Sequence, residues 1–562
     1  MSWQRLTSWL RRAVVGRRSP VICGLVLLVL LGACTAPAPE RAAPQGTLRW
    51  SLEGVSDIQR LDPARLGGHQ ENIPIYLIFG GLVRINDKLE VVGDGAERWT
   101  VSGDGTVYTF HLRENLRYGN GEPATAQHFA DALTRTIAPA TGSDFALAFL
   151  QHVVGAEDVR AGRAQSLAGV RVIDPHTLEV TLDSPRGYFL SQLTYALSFL
   201  VPPGAIEAAG DAWVGQAYGT GPFRVKEHEP GVRLLLEGNP HYWAGAPALE
   251  GVELRFYPDT AAAFRAYEAG ELDVMGSIQA GVPTDRLADV RGRPDARALR
   301  APVVRYIGFN NALPPFNNGY VRQAFAQAVD KEALARQVLG GGAVAAERIL
   351  PQGFPGAELP ITPLRFDPVG ARAALGLAGF VSGASLPPVA LTYELGDPDL
   401  DRAAQAMRAN WRDTLGIEVR LDPVSRDELI RRLDGMAADP RDEATAMQMY
   451  ISIWGADYPD PQNFISLQLR SDSPYNNGHW YNPQFDQLTA EADQLSGSNR
   501  QQERHELYRD AEQIAVSEVG WLPLYNPEVV LMIRPSVKGL TPTVTPQGII
   551  AADWTQVRVE DQ

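Results

Sequence analysis

Both cysteines of this 562-residue chain, Cys23 and Cys34, lie within its first 34 residues, so whatever follows must fold without a disulfide. The surrounding sequence accounts for the placement. Five arginines (Arg5, Arg11, Arg12, Arg17 and Arg18) and no acidic residue precede the apolar run Val21–Leu31. Leu31-Gly32-Ala33 then leads to Cys34. A basic stretch, a short apolar stretch and small residues before a cleavage point make a secretory signal. The apolar run holds 11 residues, whereas a helix needs about 20 to span a bilayer. The segment therefore reads as a signal and not as a lasting span.

Leu31–Cys34 resembles the lipobox of bacterial lipoproteins. That resemblance implies removal of residues 1–33 and acylation of the Cys34 thiol, which leaves the protein tethered to the membrane by lipid, facing the periplasm or the extracellular side. The remaining chain then has no cysteine pair, although its compartment can be oxidising. Its stability has to come from packing, which a chain this long supplies through two or three lobes. The chain has 51 basic and 66 acidic residues. With five arginines gone, the remainder carries a net charge of −20. A surface that acidic argues against nucleic acid and against electrostatic docking on anionic lipid. Beyond the signal no apolar run approaches 18 residues, so no further span is expected.

Residues 34–46 are rich in proline and alanine and show no apolar period, the pattern of a flexible linker. Strand patterns follow at Thr47–Leu52, Val107–Leu112, Thr177–Leu182 and Val252–Phe256, where apolar and polar residues alternate. Helical periodicity is clearest at Ala261–Ala269, Val321–Leu339, Asp399–Leu415, Asn482–Leu495 and Arg500–Glu518. Strands and helices mix along the whole chain, so the fold class is α/β. No period of 20–50 residues repeats, which excludes a solenoid.

No catalytic constellation stands out. The chain has no G-x-S-x-G elbow, no H-E-x-x-H helix and no G-x-x-x-x-G-K-[ST] loop. Gly340–Gly342 lacks the lysine and hydroxyl of a phosphate loop and reads as a helix stop. Asp397-Pro398-Asp399-Leu400-Asp401 begins like a calcium loop. Arg402 and Arg408, however, stand where Gly and Glu are required. Carboxylates at a helix N-terminus explain that stretch better. The expectation is a protein that is not an enzyme and has no metal and no cofactor.

The segment Ile453–Phe464 looks like a site. It follows a strand-like run, Met447–Ile453, and is dense in turn formers. It also carries Trp454, Asp457, Tyr458, Asp460 and Phe464. Aromatics beside a carboxylate at a strand end suit an amphipathic ligand with a cationic end. A tight turn with its aromatics tucked into the core fits the same residue types equally well. In that second case Asp457 and Asp460 cap a helix starting near Pro461.

Ordered fragments along nearly the whole body carry a more specific signal. They include Leu61-Asp62-Pro63, Gly80-Gly81-Leu82, Tyr108–Arg113, Gly219–Phe223, Asn239–Trp243, Gly270–Asp273, Phe309-Asn310 and Val321–Ala324. In this order and spacing they resemble the extracellular solute-binding proteins of peptide ABC importers. Trp454–Phe464 is similar to the W-x-A-D-Y-x-D-P-x-x-F signature of the oligopeptide branch. The resemblance implies that Asp457 binds the α-ammonium of a peptide. It implies that the backbone of Ile453-Trp454-Gly455 pairs with the peptide, with Tyr458 alongside. It places Gly67-Gly68-His69 on the peptide's other edge and Tyr306 in the pocket wall. Some family members have a disulfide cysteine where this chain has Gly455, and no motif marks a site for the ligand's C-terminus.

The resemblance further implies a three-lobed, periplasmic-binding-protein-like fold. Residues 47–79, 199–303 and 525–562 form lobe I. Residues 80–198 form an inserted lobe II, and 304–524 form lobe III. Lobes I and III are expected to close over the ligand. The implied protein is a monomer whose partners are a peptide and the membrane subunits of an ABC permease. The same scaffold also serves nickel chelates, haem, oligosaccharides and opines, and it serves as a sensing receptor.

Overall fold

The computed structural model describes residues 46–66, 71–143, 145–277, 280–380, 383–540, 543–545, 548–550 and 553–560. The lipobox with Cys34, the linker 34–46 except Gly46, and Gly67-Gly68-His69 lie outside them.

A 12-stranded sheet forms the backbone of the molecule. At its centre runs the 13-residue strand Trp521–Ile533. One half of it, Trp521–Tyr525, pairs with Val303–Phe309, and the other half, from Glu528 to Met532, pairs with Ala296–Arg300. A register shift between Arg305 and Tyr306 marks the crossing. On one side the sheet continues through Val303–Phe309, Met449–Gly455, Val389–Glu394 and Val419–Val424. On the other it continues through Val274–Met275, Thr47–Glu53, Gly251–Tyr257, Arg233–Gly238 and Phe223–Glu229. Two stretches of chain, near residues 300–303 and 525–528, therefore link the two halves.

Separate cores sit on this frame. Leu48, Trp50, Leu234, Leu254 and Val274 belong to one, which Leu531 and Trp554 complete. Phe309, Phe325, Leu391, Met407 and Trp411 belong to another. A second, four-stranded sheet, Ala96–Val101, Val107–Leu112, Thr177–Thr181 and Val170–Asp174, carries its own core with the helix Ala126–Ile137. Alternation explains these strands: Tyr108, Phe110 and Leu112 are buried while the residues between them are half-buried.

The expected helix Val321–Leu339 is instead broken. A helix spans Gly319–Gln327, and the chain leaves helical geometry at Asp330, which caps a new turn by accepting from Ala333 N at 2.9 Å. A short carboxylate that competes for backbone N–H groups interrupts a helix its neighbours would continue. Asp397 behaves as a helix cap, accepting from Asp399 N and Leu400 N at the start of Pro398–Leu415. No cluster of metal-ligating side chains occurs among the described residues. No helix among them is long and apolar enough to cross a membrane.

Candidate functional site

The strand Met449–Gly455 pairs along its whole length with Val303–Phe309. On its other edge, Val389–Glu394 pairs only with Met449 and Tyr450. Among the described residues no strand pairs with Ile451–Gly455 on that edge. Ile453 is 46% exposed and Gly455 is exposed, while Trp454 is half-buried. An unpaired edge of this kind is a template for an added strand.

The chain then turns sharply, and Asn463 organises the turn. Its Oδ1 accepts from Trp454 Nε1 at 3.1 Å and from Asp457 N at 3.2 Å, and its Nδ2 donates to Asp457 Oδ2 at 3.2 Å. Asn463 is fully buried, so one amide fixes both the indole and the carboxylate. Asp460, three residues on, has a different role. It caps the turn Pro461–Asn463 by accepting from Gln462 N at 2.9 Å. It also receives a bidentate, buried pair of bonds from Arg504, at 2.7 and 2.6 Å. Burial works against the charge on Arg504, but Asp460, Tyr508 and Asp493 together hold its pKa above the ordinary arginine value.

Asp457 lines a cavity of about 260 Å³. Phe149 and Tyr195 stack on one another there, 4.3 Å between ring centres and 13° between planes. Trp454 and Tyr475 form a second pair, tilted, at 5.7 Å. Tyr458 is buried with its hydroxyl donating to Gln462 Oε1 at 2.5 Å and its ring edge-on to Phe149 at 5.9 Å. Its ring thus belongs to the core of residues 82–200, far from it in sequence. Leu66 and Asn72, which flank the undescribed Gly67-Gly68-His69, both line the cavity.

Burial raises the Asp457 pKa from 3.8 to about 6, and the bond from Asn463 offsets part of that rise. Four phenols register the carboxylate's charge, Tyr458 among them. Tyr76, Tyr195 and Tyr475 are raised first by their own burial and further by Asp457. A carboxylate kept in so poorly hydrated a setting attracts a cation more strongly than one in water.

The expected site residues thus divide. Asp457, Trp454 and Tyr458 come together at the cavity, with Ile453 and Gly455 on the adjoining strand edge. Tyr306 does not join them. Its ring stacks on Trp521 at 3.6 Å and 11°, is 3% exposed, and lies in the core beneath the strand. Asn463 lies inside the segment Ile453–Phe464, where an asparagine among turn formers carries no signal of its own. Phe145, Phe149 and Tyr195 come from a distant part of the chain, and only the i, i+4 apolar pair Phe145/Phe149 hinted at a helix face.

Residues 90–476 match the model of the bacterial extracellular solute-binding proteins, family 5 (Middle). The chain belongs to this family. It is a solute-binding protein with the α/β fold of the periplasmic binding proteins, and it is not an enzyme. It is 30% identical over 544 residues to the probable deoxycholate-binding periplasmic protein YgiS of Escherichia coli, covering 94% of this chain and 97% of that one. It is also 30% identical over 547 residues to the periplasmic oligopeptide-binding protein OppA of Salmonella typhimurium, covering 94% and 96%. The solved structure of the periplasmic murein tripeptide binding protein MppA in its unliganded open form superposes with a TM-score of 0.78. The two are 26% identical, over 92% of this chain and 98% of that one.

Proposed function

We propose that this solute-binding protein captures peptides outside the cytoplasmic membrane and hands them to an ABC permease. One observation carries the reading. Asp457, oriented by a buried asparagine, sits in an aromatic-lined cavity directly beside an unpaired strand edge. A peptide N-terminus offers the complement, an ammonium followed by an extended backbone. The ammonium pairs with Asp457 while the backbone bonds to Ile453–Gly455 as an added strand. Tyr306 is set aside as a contact, since its ring faces the core. Gly67-Gly68-His69 remains the proposed partner for the ligand's far edge.

The test is a cycle of Asp457→Asn against an N-acetylated peptide, read by calorimetric titration. Removing one member of a buried charge pair costs about 2–5 kcal/mol, roughly thirty- to several-thousand-fold in affinity. Each change alone should show that loss. Together they should cost little more than one, because they remove the same interaction. Additive losses would take Asp457 out of the site.

A second reading has support in the likeness to YgiS and in the largely apolar cavity walls, which suit a bile acid. Asp457 opposes it, because a bile-acid carboxylate beside a buried carboxylate is repelled. Deoxycholate that binds tightly while no peptide binds would reverse the order of the two readings.

Around this site, residues 47–79, 199–303 and 525–562 form lobe I, 80–198 lobe II and 304–524 lobe III, with lobes I and III closing on the ligand. The protein acts as a monomer held to the membrane by lipid on Cys34. Cys34→Ser should abolish lipidation. A mass and membrane partition unchanged by that substitution would end the lipoprotein reading.

A further inference from the structure

We propose that a second cleft, between the start of the helix Gly319–Gln327 and the end of the helix Gln501–Glu518, binds a neutral oligosaccharide. Residues 479–481 and Leu377 complete its walls. It shares no described lining residue with the cavity beside Asp457, so the inference stands apart from peptide capture.

Size is the first argument. The cleft has a volume of about 940 Å³. At roughly 30 Å³ of liquid volume per water, that is about thirty waters, more than a single hexose ring displaces. Exposed rings are the second. Tyr320 is 48% exposed and Tyr481 is 64% exposed, and neither belongs to the cores that pack beneath them. Large rings left open to water on one cleft mark a surface that a ligand covers. The face of such a ring is the negative part of its quadrupole, and it attracts the C–H groups on the flat side of a sugar ring.

The polar lining is the third argument. Asn311, Asn317, Asn318 and Gln323 share the cleft with those rings. A side-chain amide both donates and accepts, as a sugar hydroxyl does. Asn311 is fixed by its Nδ2, which donates to Phe309 O and Gly478 O at 2.9 Å, while its Oδ1 is buried and has no partner among the described residues. A buried acceptor left open is rare, and a hydroxyl is its complement. Charge narrows the class further. The Arg322 guanidinium is buried and already donates to Phe316 O, Glu518 O and Val519 O. His479 is taken up by Met436 O at 2.7 Å. An anionic ligand would therefore meet the Glu518 carboxylate and no open cation among the described lining residues. Glu518, steadied by Asn482 Nδ2 at 2.8 Å, can accept from hydroxyls instead.

The test is calorimetric titration of maltotetraose, cellotetraose and tetra-N-acetylchitotetraose into the purified protein, with the acidic tetragalacturonate for comparison. At least one neutral probe should bind saturably at one site per chain, and tetragalacturonate should bind more weakly than it does. Tyr320→Ala and Tyr481→Ala should each weaken that probe roughly two- to tenfold. Tyr481→Phe, which keeps the ring, should stay within about twofold of the wild type and guards against a misfolded alanine variant. An excess of tri-alanine should leave the sugar's affinity unchanged, because the two clefts share no lining residue. No binding of any neutral probe up to about 10 mM would overturn the proposal. So would a tighter tetragalacturonate, an affinity untouched in both alanine variants, or displacement of the sugar by the peptide. None of those results bears on whether Asp457 holds a peptide's ammonium.

Discussion

Asp457→Asn should stabilise the ligand-free protein at neutral pH, by an amount that disappears in acid. Burial lifts the pKa of this carboxyl from 3.8 to about 6 in the folded chain. Between those two values the unfolded chain has lost its proton and the folded chain still holds it. Folding stability therefore falls as pH rises through that window and stays at the lower level above about pH 6. Each pH unit is worth about 1.4 kcal/mol, so ionised Asp457, half-buried at the cavity wall, costs the folded state at most about 3 kcal/mol at pH 7.5. Asparagine has the same shape. Its carbonyl can keep the bond from Asn463 Nδ2, and its backbone N–H can keep the bond to Asn463 Oδ1, without the buried charge. Denaturant unfolding of both proteins, freed of ligand, from pH 3.5 to 8 measures the difference. Where lobes unfold separately, the transition to follow is that of the lobe carrying residue 457. The variant should match the wild type near pH 3.5 and exceed it by up to about 3 kcal/mol at pH 7.5. A variant less stable than the wild type at neutral pH, or a gain that does not vary with pH, would show that Asp457 serves the fold and would refute this reasoning.

The same titration governs binding. Affinity for a peptide with a free N-terminus should be level from about pH 6 to about pH 7, short of the range near pH 8 where the peptide's own amine loses its proton, and should decline below about pH 6 as Asp457 takes up a proton, while Asp457→Asn shows no such acid-side decline; parallel acid-side profiles would count against the pairing. Arg504→Met strands Asp460 without its buried, bidentate partner. It should cost about 3–5 kcal/mol, a loss that the double change with Asp460→Leu largely restores; a single variant as stable as the wild type would contradict this. On the proposal that lobes I and III close about the linking stretches near residues 300–303 and 525–528, a tight peptide should reduce the radius of gyration in solution scattering; an unchanged radius at saturation would speak against hinge closure.

Much of the fold was legible because local physics sets it. The alternation in Val107–Leu112 and the Asp-rich start of Pro398–Leu415 each specify their element without help from afar. The break at Asp330 was not legible, because the apolar period of Val321–Leu339 continues through it while one carboxylate diverts the backbone. Tyr306 shows the opposite failure. It lies one strand away from the site, and strand alternation turns its ring toward Trp521 and the core, a choice of face that only register decides. The cavity walls were the least legible feature. Phe145 and Tyr195 meet Asp457 across more than 250 residues of chain, and nothing near any of them announces the encounter.

The two carboxylates of the loop show how fold and site depend on one another. Asp457 and Asp460 stand three residues apart in the same turn, yet only Asp460 receives a bidentate arginine. Arg504 also donates to Ala492 O, and the backbone of Gly187, from the smaller sheet's part of the chain, donates to Asp493 O at 2.8 Å. Tyr458 lies between the two carboxylates with its ring sunk in that same part's core. The loop is therefore clamped at Tyr458 and Asp460, one and three residues on from Asp457, to two different bodies. A clamp of that strength offsets a carboxylate that burial makes unfavourable, and it denies Asp457 the freedom to swing out to water. Of the two, Asp460 anchors the loop through its buried arginine, and Asp457 is the one that faces the cavity.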